Sequence, residues 1–124
     1  MKTALIIFAG SGLGGVLRYL VQKLFIDAGY VNFPTGTFVV NILGCFLIGL
    51  FNALAEKNNL ISTELRLALT TGFCGGFTTF STFANENMNL LRNGDYTYFS
   101  LYIIFSVMLG IGAVILGINT VKLF

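Results

Sequence analysis

The stretch GFCGGFTTFSTF, Gly72 to Phe83, concentrates the residue types of this chain that could do chemistry. Phe80 and Phe83 lie at positions i and i+3, and therefore on the same face of a helix. The edge of an aromatic ring is electropositive, so rings turned edge-on can meet an anion without adding a fixed charge that traps it. Ordinary apolar packing is the alternative interpretation. The same stretch supplies three hydroxyl donors beside the rings: Thr79, Ser81 and Thr82.

Further neutral donors occur in other apolar segments, at Asn41, Tyr102 and Ser106. Such groups often do no more than bond one membrane helix to another. The glycines of GFCGG predict a broken helix, and together with such a break these donors favour a continuous row of polar side chains, a polar track. A polar track suits an ion that is partly dehydrated and weakly bound, as conduction requires. The chain has no histidine and no paired carboxylates, and we predict that it is not an enzyme.

Two charged residues fall within apolar patterns, Arg18 and Glu86. Arg18 either snorkels to the membrane interface or draws anions toward a wet pore mouth. Glu86 follows Phe83 by about one turn, and an acid within a membrane span is a functional candidate by default. It could instead cap a polar vestibule among the neighbouring asparagines.

The composition predicts a membrane protein with a single domain, 1–124. Hydrophobic residues make up 56% of the chain and charged residues 10%, against about 25% charged in typical soluble domains. The net charge of +2 is spread thinly, so we expect a lipid bilayer and no nucleic acid as partner. Cys45 and Cys74 lie in apolar segments and are predicted to be small buried hydrophobes, in preference to a disulfide or metal site.

Four windows are long and apolar enough to cross a bilayer: 3–25, 34–55, 62–92 and 97–122. The third is too long for one straight crossing, and GFCGG near its middle predicts a break. Irregular backbone at membrane depth must be covered by protein or by a water-filled cavity. The predicted fold class is therefore an all-α membrane protein of four transmembrane helices, with the third helix broken mid-membrane.

The glycines of the first window match a dinucleotide-binding pattern, at Gly10, Gly12 and Gly15. That motif requires an acidic residue about 20 positions further on and alternating strands and helices, and the chain has neither pattern. We interpret these glycines as close-packing positions in a membrane helix. Small residues four apart also occur at Cys45 and Gly49, and at Gly72 and Gly76.

The basic residues show almost no bias toward one side of the membrane. The predicted spans place four of them on one side and three on the other: Lys2, Lys57, Arg66 and Lys122 against Arg18, Lys23 and Arg92. A chain without a positive-inside bias can insert in both orientations. Two opposite copies can then pair across a twofold axis in the membrane plane.

Three segments together, GGVLRY (14–19), GTFVVNILG (36–44) and GFCGGFTTFSTF, resemble the Fluc/CrcB family of small fluoride channels. The resemblance covers essentially the whole chain. It implies an antiparallel homodimer with two pores in the inner (plasma) membrane of a microbe, passively exporting fluoride from the cytoplasm.

The resemblance also implies roles for individual residues. Arg18 would lie near a pore mouth, Asn41 would be a pore-lining donor, and Phe80 and Phe83 would flank the fluoride path. Ser81, Thr82, Tyr102 and Ser106 would continue the polar track, and Gly110 lies where some members of the family would extend the row of hydroxyls. A structural sodium ion at the dimer axis would be held by backbone carbonyls of the broken helix, here those of Gly75 and Thr78.

Two other functions are alternatives to a fluoride channel. A four-helix proton-coupled small multidrug exporter would carry an acid in its first span, and residues 3–25 contain none. A structural subunit of a larger membrane complex would not need a broken helix. Fluoride efflux through the purified chain alone separates the three.

Overall fold

The computed structural model describes residues 1–57 and 60–124, and all regular structure within them is helical. The elements are α1 (Lys2–Asp27), α2 (Thr35–Glu56), α3 (Thr63–Leu67), a π-helix (Ala68–Cys74), α4 (Gly75–Phe77), α5 (Phe80–Arg92) and α6 (Tyr96–Lys122). The segment 63–77 is helical throughout, because α3, the π-helix and α4 follow one another without a gap.

Three of the four predicted spans are single long helices. Helices α1, α2 and α6 are each long and apolar enough to cross a membrane. The third window consists of two shorter pieces, 63–77 and α5, separated by two extended residues. The chain is therefore an all-helical membrane protein whose third span is broken, as the sequence predicts.

The position of the break differs from the prediction. GFCGG is entirely helical, and the chain becomes extended at Thr78 (φ −83°, ψ 160°) and Thr79 (φ −152°, ψ 117°). β-Branched residues tolerate extended backbone well, and here the Thr79 hydroxyl caps the start of α5. Thr78 Oγ1 donates to the Cys74 carbonyl at 2.9 Å, and Thr79 Oγ1 accepts from the Thr82 amide at 3.2 Å. The break therefore lies at two threonines and not at the glycines before them.

The glycines before the break let α1 approach the 63–77 segment closely. A Cβ on Gly76 would collide with the Ser11 carbonyl oxygen, and one on Gly14 with the Phe73 carbonyl oxygen. A Cβ on Gly10 would lie 2.6 Å from the Ala68 carbonyl oxygen. These positions confirm close packing at Gly10, Gly14 and Gly76. The same prediction is wrong for Gly12 and Gly15, because no atom of the described residues lies within 4 Å of a Cβ placed there.

Helices α2 and α6 pack against each other in the same manner. A Cβ on Gly49 would meet the Val114 carbonyl oxygen, and one on Gly117 would meet the Phe46 carbonyl oxygen. The two helices therefore approach backbone to backbone. This pairing fixes the position of α2, whose other side carries polar residues toward the break.

Candidate functional site

A groove of about 850 Å³ lies beside the break, between α2, the 63–77 segment, the start of α5 and α6. We call it the break groove. Its α2 wall is formed by residues at helical spacing, from Asn41 through Cys45 and Ile48 to Asn52. Most of the residues predicted for the site line this groove: Asn41, Gly75, Thr78, Thr79, Phe80, Phe83 and Ser106.

Asn41 holds the broken backbone through both ends of its amide. Its Nδ2 donates to the Thr79 carbonyl oxygen at 3.1 Å, and its Oδ1 accepts from the Thr79 amide at 2.8 Å. In a continuous helix the Thr79 amide would donate to the Gly75 carbonyl oxygen. Asn41 therefore replaces a helical hydrogen bond and releases the Gly75 carbonyl from it.

Arg18 reaches the same break from α1. Its Nη1 donates to the Thr78 carbonyl oxygen at 3.2 Å, and its side chain is half-buried. Arg18 is not among the residues that line the break groove. The observed contact makes it a partner of the break backbone, and its position near a pore mouth stays a prediction.

The two phenylalanines differ in their surroundings. Their ring centroids lie 5.8 Å apart, with the planes inclined by 41°. Phe83 also meets Tyr102 edge to face, with centroids 4.8 Å apart. Phe80 is 80% exposed, so its ring is directed away from the protein toward lipid or another chain.

The hydroxyls after the break form a small network centred on Thr79. Thr79 is buried and its Oγ1 donates to Thr82 Oγ1 at 3.0 Å, with Ser81 Oγ at 3.4 Å. Ser106 Oγ is buried and has no hydrogen-bond partner among the described residues. Ser106 is also one of the residues that line the break groove.

Glu86 belongs to a second polar group, about one turn beyond Phe83 on α5. Its Oε1 accepts from Thr37 Oγ1 at 2.5 Å, and its Oε2 accepts from the Tyr102 hydroxyl at 2.8 Å. Gln22 Nε2 donates to Thr37 Oγ1 at 3.0 Å. The carboxylate is thus held by neutral donors from two other helices.

This second group opens onto another groove, of about 660 Å³, which we call the Glu86 groove. Gln22, Thr37, Thr82 and Glu86 contribute to its lining. The residues of the predicted track are therefore divided between two grooves, both of them lined in part by α5. The contact between Phe83 and Tyr102 lies between the two grooves. Phe83 lines the break groove, and Tyr102 donates to Glu86, which lines the Glu86 groove.

Sequence reasoning did not identify Gln22 and Thr37. Thr37 lies four residues before Asn41 on α2, so helical spacing could have placed both on one face. Gln22 is the only glutamine of the chain and one of the few amides in an apolar span. Both are polar residues near the ends of apolar helices, and that position could have identified them as candidate site residues.

Comparisons with known proteins match nearly the whole chain. Residues 5–118 match the sequence model of the family described as CrcB-like protein, Camphor Resistance (CrcB). A relative from Phocaeicola vulgatus is 56% identical over 118 residues, which are 95% of this chain and 97% of the relative. A relative from Bacteroides fragilis is 50% identical over 120 residues, 94% of each chain.

A relative from Chlorobaculum tepidum is 47% identical over 124 residues, 100% of this chain and 98% of the relative. All three relatives are named fluoride-specific ion channel FluC. The family match and the identities extend over the break, both grooves and all the helices that form them. The chain therefore belongs to the CrcB family.

Proposed function

We propose that the chain is a passive, fluoride-selective ion channel that exports fluoride from the cytoplasm across the inner membrane. The observation that carries the proposal is the composition of the break groove near the break. There an aromatic pair stands beside the neutral donors of Asn41, Thr79 and Ser106, with no charged side chain lining that part of the groove. The names of the relatives support the same function.

The residues of the break suit an ion that must lose water and move on. Hydroxyl and amide donors replace hydration without the Coulomb attraction of a fixed cation, which would hold the anion. The ring edges of Phe80 and Phe83 add a weak positive potential. Ser106 contributes a buried hydroxyl that has no competing partner among the described residues.

We further propose that the channel is an antiparallel homodimer with two pores. Phe80 is 80% exposed, and Gly75 and Ser81 are exposed close to it. Lipid tails cannot satisfy the released Gly75 carbonyl or the Ser81 hydroxyl, whereas a second copy of the chain could cover this surface. The nearly equal distribution of basic residues permits the opposite orientation of that copy.

A structural sodium ion at the dimer axis forms part of this proposal, held by the carbonyls of Gly75 and Thr78. The donor set fits, because the Thr79 amide no longer occupies the Gly75 carbonyl and carbonyl oxygen suits a hard cation. The Thr78 carbonyl accepts from Arg18 and keeps a second lone pair. When bound, sodium would neutralise converging carbonyl dipoles. A high-resolution map of the dimer that shows only water on the axis would contradict it.

Fluoride efflux from liposomes that contain only the purified chain tests the proposed function. The pH is kept equal on both sides, so that a proton-coupled exporter has no driving force. We expect rapid fluoride efflux under these conditions. No fluoride efflux from the purified chain would contradict the proposal. The multidrug exporter lacks support from the sequence, because residues 3–25 contain no acid.

A further inference from the structure

Arg66 is the only charged residue among those that line the break groove. It lies at the end of the groove remote from the break, beside Asn52 of α2. Asn41 and Asn52 are eleven residues apart on α2, which corresponds to about 16 Å along the helix axis. The groove therefore connects a positively charged end with the neutral donors at the break.

The Arg66 side chain is fixed at one nitrogen only. Its Nε donates to Asn52 Oδ1 at 3.1 Å, and this bond joins α3 to α2. Within the part of the chain that the structure describes, the two terminal guanidinium nitrogens have no hydrogen-bond partner. Arg66 is exposed, so these donors can reach an ion that approaches from water.

The acidic residues nearby do not cancel this charge. Glu64 is paired with Lys2, whose Nζ lies 3.0 Å from a carboxylate oxygen. Glu56 lines a separate cavity beside Lys57 and Lys122. The end of the break groove is therefore positive as a whole, with Arg66 as the charged group inside it.

We propose that Arg66, oriented by Asn52, is the capture site for fluoride at the end of the break groove that is remote from the break. This inference rests on the proposed function. An exposed guanidinium concentrates a small anion near the groove but holds it weakly in high-dielectric surroundings. The anion then moves to Asn41 and the hydroxyls, where no charged side chain lines the groove.

The test compares fluoride efflux through parent, Arg66→Gln and Arg66→Lys channels in phosphatidylcholine liposomes at subsaturating fluoride. Ionic strength is set with potassium sulfate to about 0.01 M or about 1 M, where the Debye length is about 30 Å or about 3 Å. We expect Arg66→Gln to lower the rate about threefold at low ionic strength, the size of one exposed charge acting over several ångströms. At high ionic strength the rates of the parent and of Arg66→Gln should converge. Arg66→Lys should retain most of the parent rate at both ionic strengths.

Arg92→Gln is the matched control, because Arg92 is exposed at the end of α5 and lines neither groove. We expect it to match the parent at both ionic strengths. A loss in Arg66→Gln that is equal at both ionic strengths, or shared by Arg66→Lys, would make Arg66 a structural residue and overturn the proposal.

A second arm adds phosphatidylglycerol to the liposomes. A defect that appears only with this anionic lipid would assign Arg66 to lipid headgroups and also overturn the proposal. A parent channel that passes fluoride no faster than chloride contradicts the proposed function itself. A selective parent with an unaltered Arg66→Gln variant contradicts only the capture site.

Discussion

At the scale of single residues, Phe80 and Phe83 carry the least usual chemistry of the proposal. Phe83 is fixed by its edge-to-face contact with Tyr102, whereas Phe80 is 80% exposed and depends on whatever covers this surface. The two rings therefore need not be equally sensitive to substitution. Their electrostatic role can be separated from packing, because an aliphatic side chain keeps most of the volume and loses the ring quadrupole.

Phe80→Ile and Phe83→Ile should each leave a folded protein, since swaps that roughly conserve volume cost under about 1.5 kcal/mol. Fluoride efflux should nevertheless collapse if the ring edges help to replace water around the anion. Phe73→Ile is the control, because Phe73 stacks on Phe77 and lines neither groove. Efflux at the parent rate in both variants would reduce the two rings to packing.

Asn41→Ala should destabilise the fold, because it leaves the Thr79 amide and carbonyl without their partners. Each unsatisfied buried group costs about 1–3 kcal/mol, so we expect a loss of about 2–4 kcal/mol of unfolding free energy in detergent micelles. Asn119→Ala, at an exposed position of α6, should be close to neutral. Equal stability of the two variants would mean that Asn41 does not hold the break.

At the scale of elements, the sequence predicted that the third span is broken but misplaced the break. The length of the window 62–92 required an interruption, and length is visible in a sequence. The position depended on Asn41 replacing a helical hydrogen bond of Thr79, a contact between residues 38 positions apart. Glycine is a common helix breaker in water, but here Gly72 and Gly76 contact α1. The sequence alone could not distinguish a glycine that packs against a neighbouring helix from a glycine that breaks its own helix.

Gly14→Ala should disturb the packing of α1 on the 63–77 segment. Its Cβ would collide with the Phe73 carbonyl oxygen and lie 2.7 Å from the Phe77 amide nitrogen, both backbone atoms that cannot move alone. We expect a loss of about 1–3 kcal/mol, typical of overpacking. Gly15→Ala is the control, because nothing lies within 4 Å of its Cβ. The free energy of unfolding in mixed micelles is measured for both variants. Equal values would contradict the close approach of α1 to the 63–77 segment.

At the scale of the whole molecule, hydropathy located α1, α2 and α6, the three helices long and apolar enough to cross a membrane, because the bilayer imposes length and composition directly. The polar group of Gln22, Thr37, Glu86 and Tyr102 was not predicted as a unit. Its members come from four helices, and helical periodicity relates residues only within one helix. Periodicity alone likewise cannot show that the predicted site residues line two grooves.

The proposed antiparallel dimer predicts that both orientations coexist in the membrane. A tag at the C-terminus, after α6, should be accessible to an impermeant reagent from both sides of the bilayer. A tagged single-orientation membrane protein of known topology serves as the control for sealed membranes. Labelling from one side only would contradict the antiparallel arrangement.

The most direct test of the central claim is the ratio of fluoride to chloride efflux from liposomes that contain only the purified chain. Potassium with valinomycin balances the charge, and the two anions are compared at equal concentration and protein density. The neutral donors and the aromatic pair at the break predict that fluoride passes far faster than chloride. Equal rates for the two anions would contradict the account.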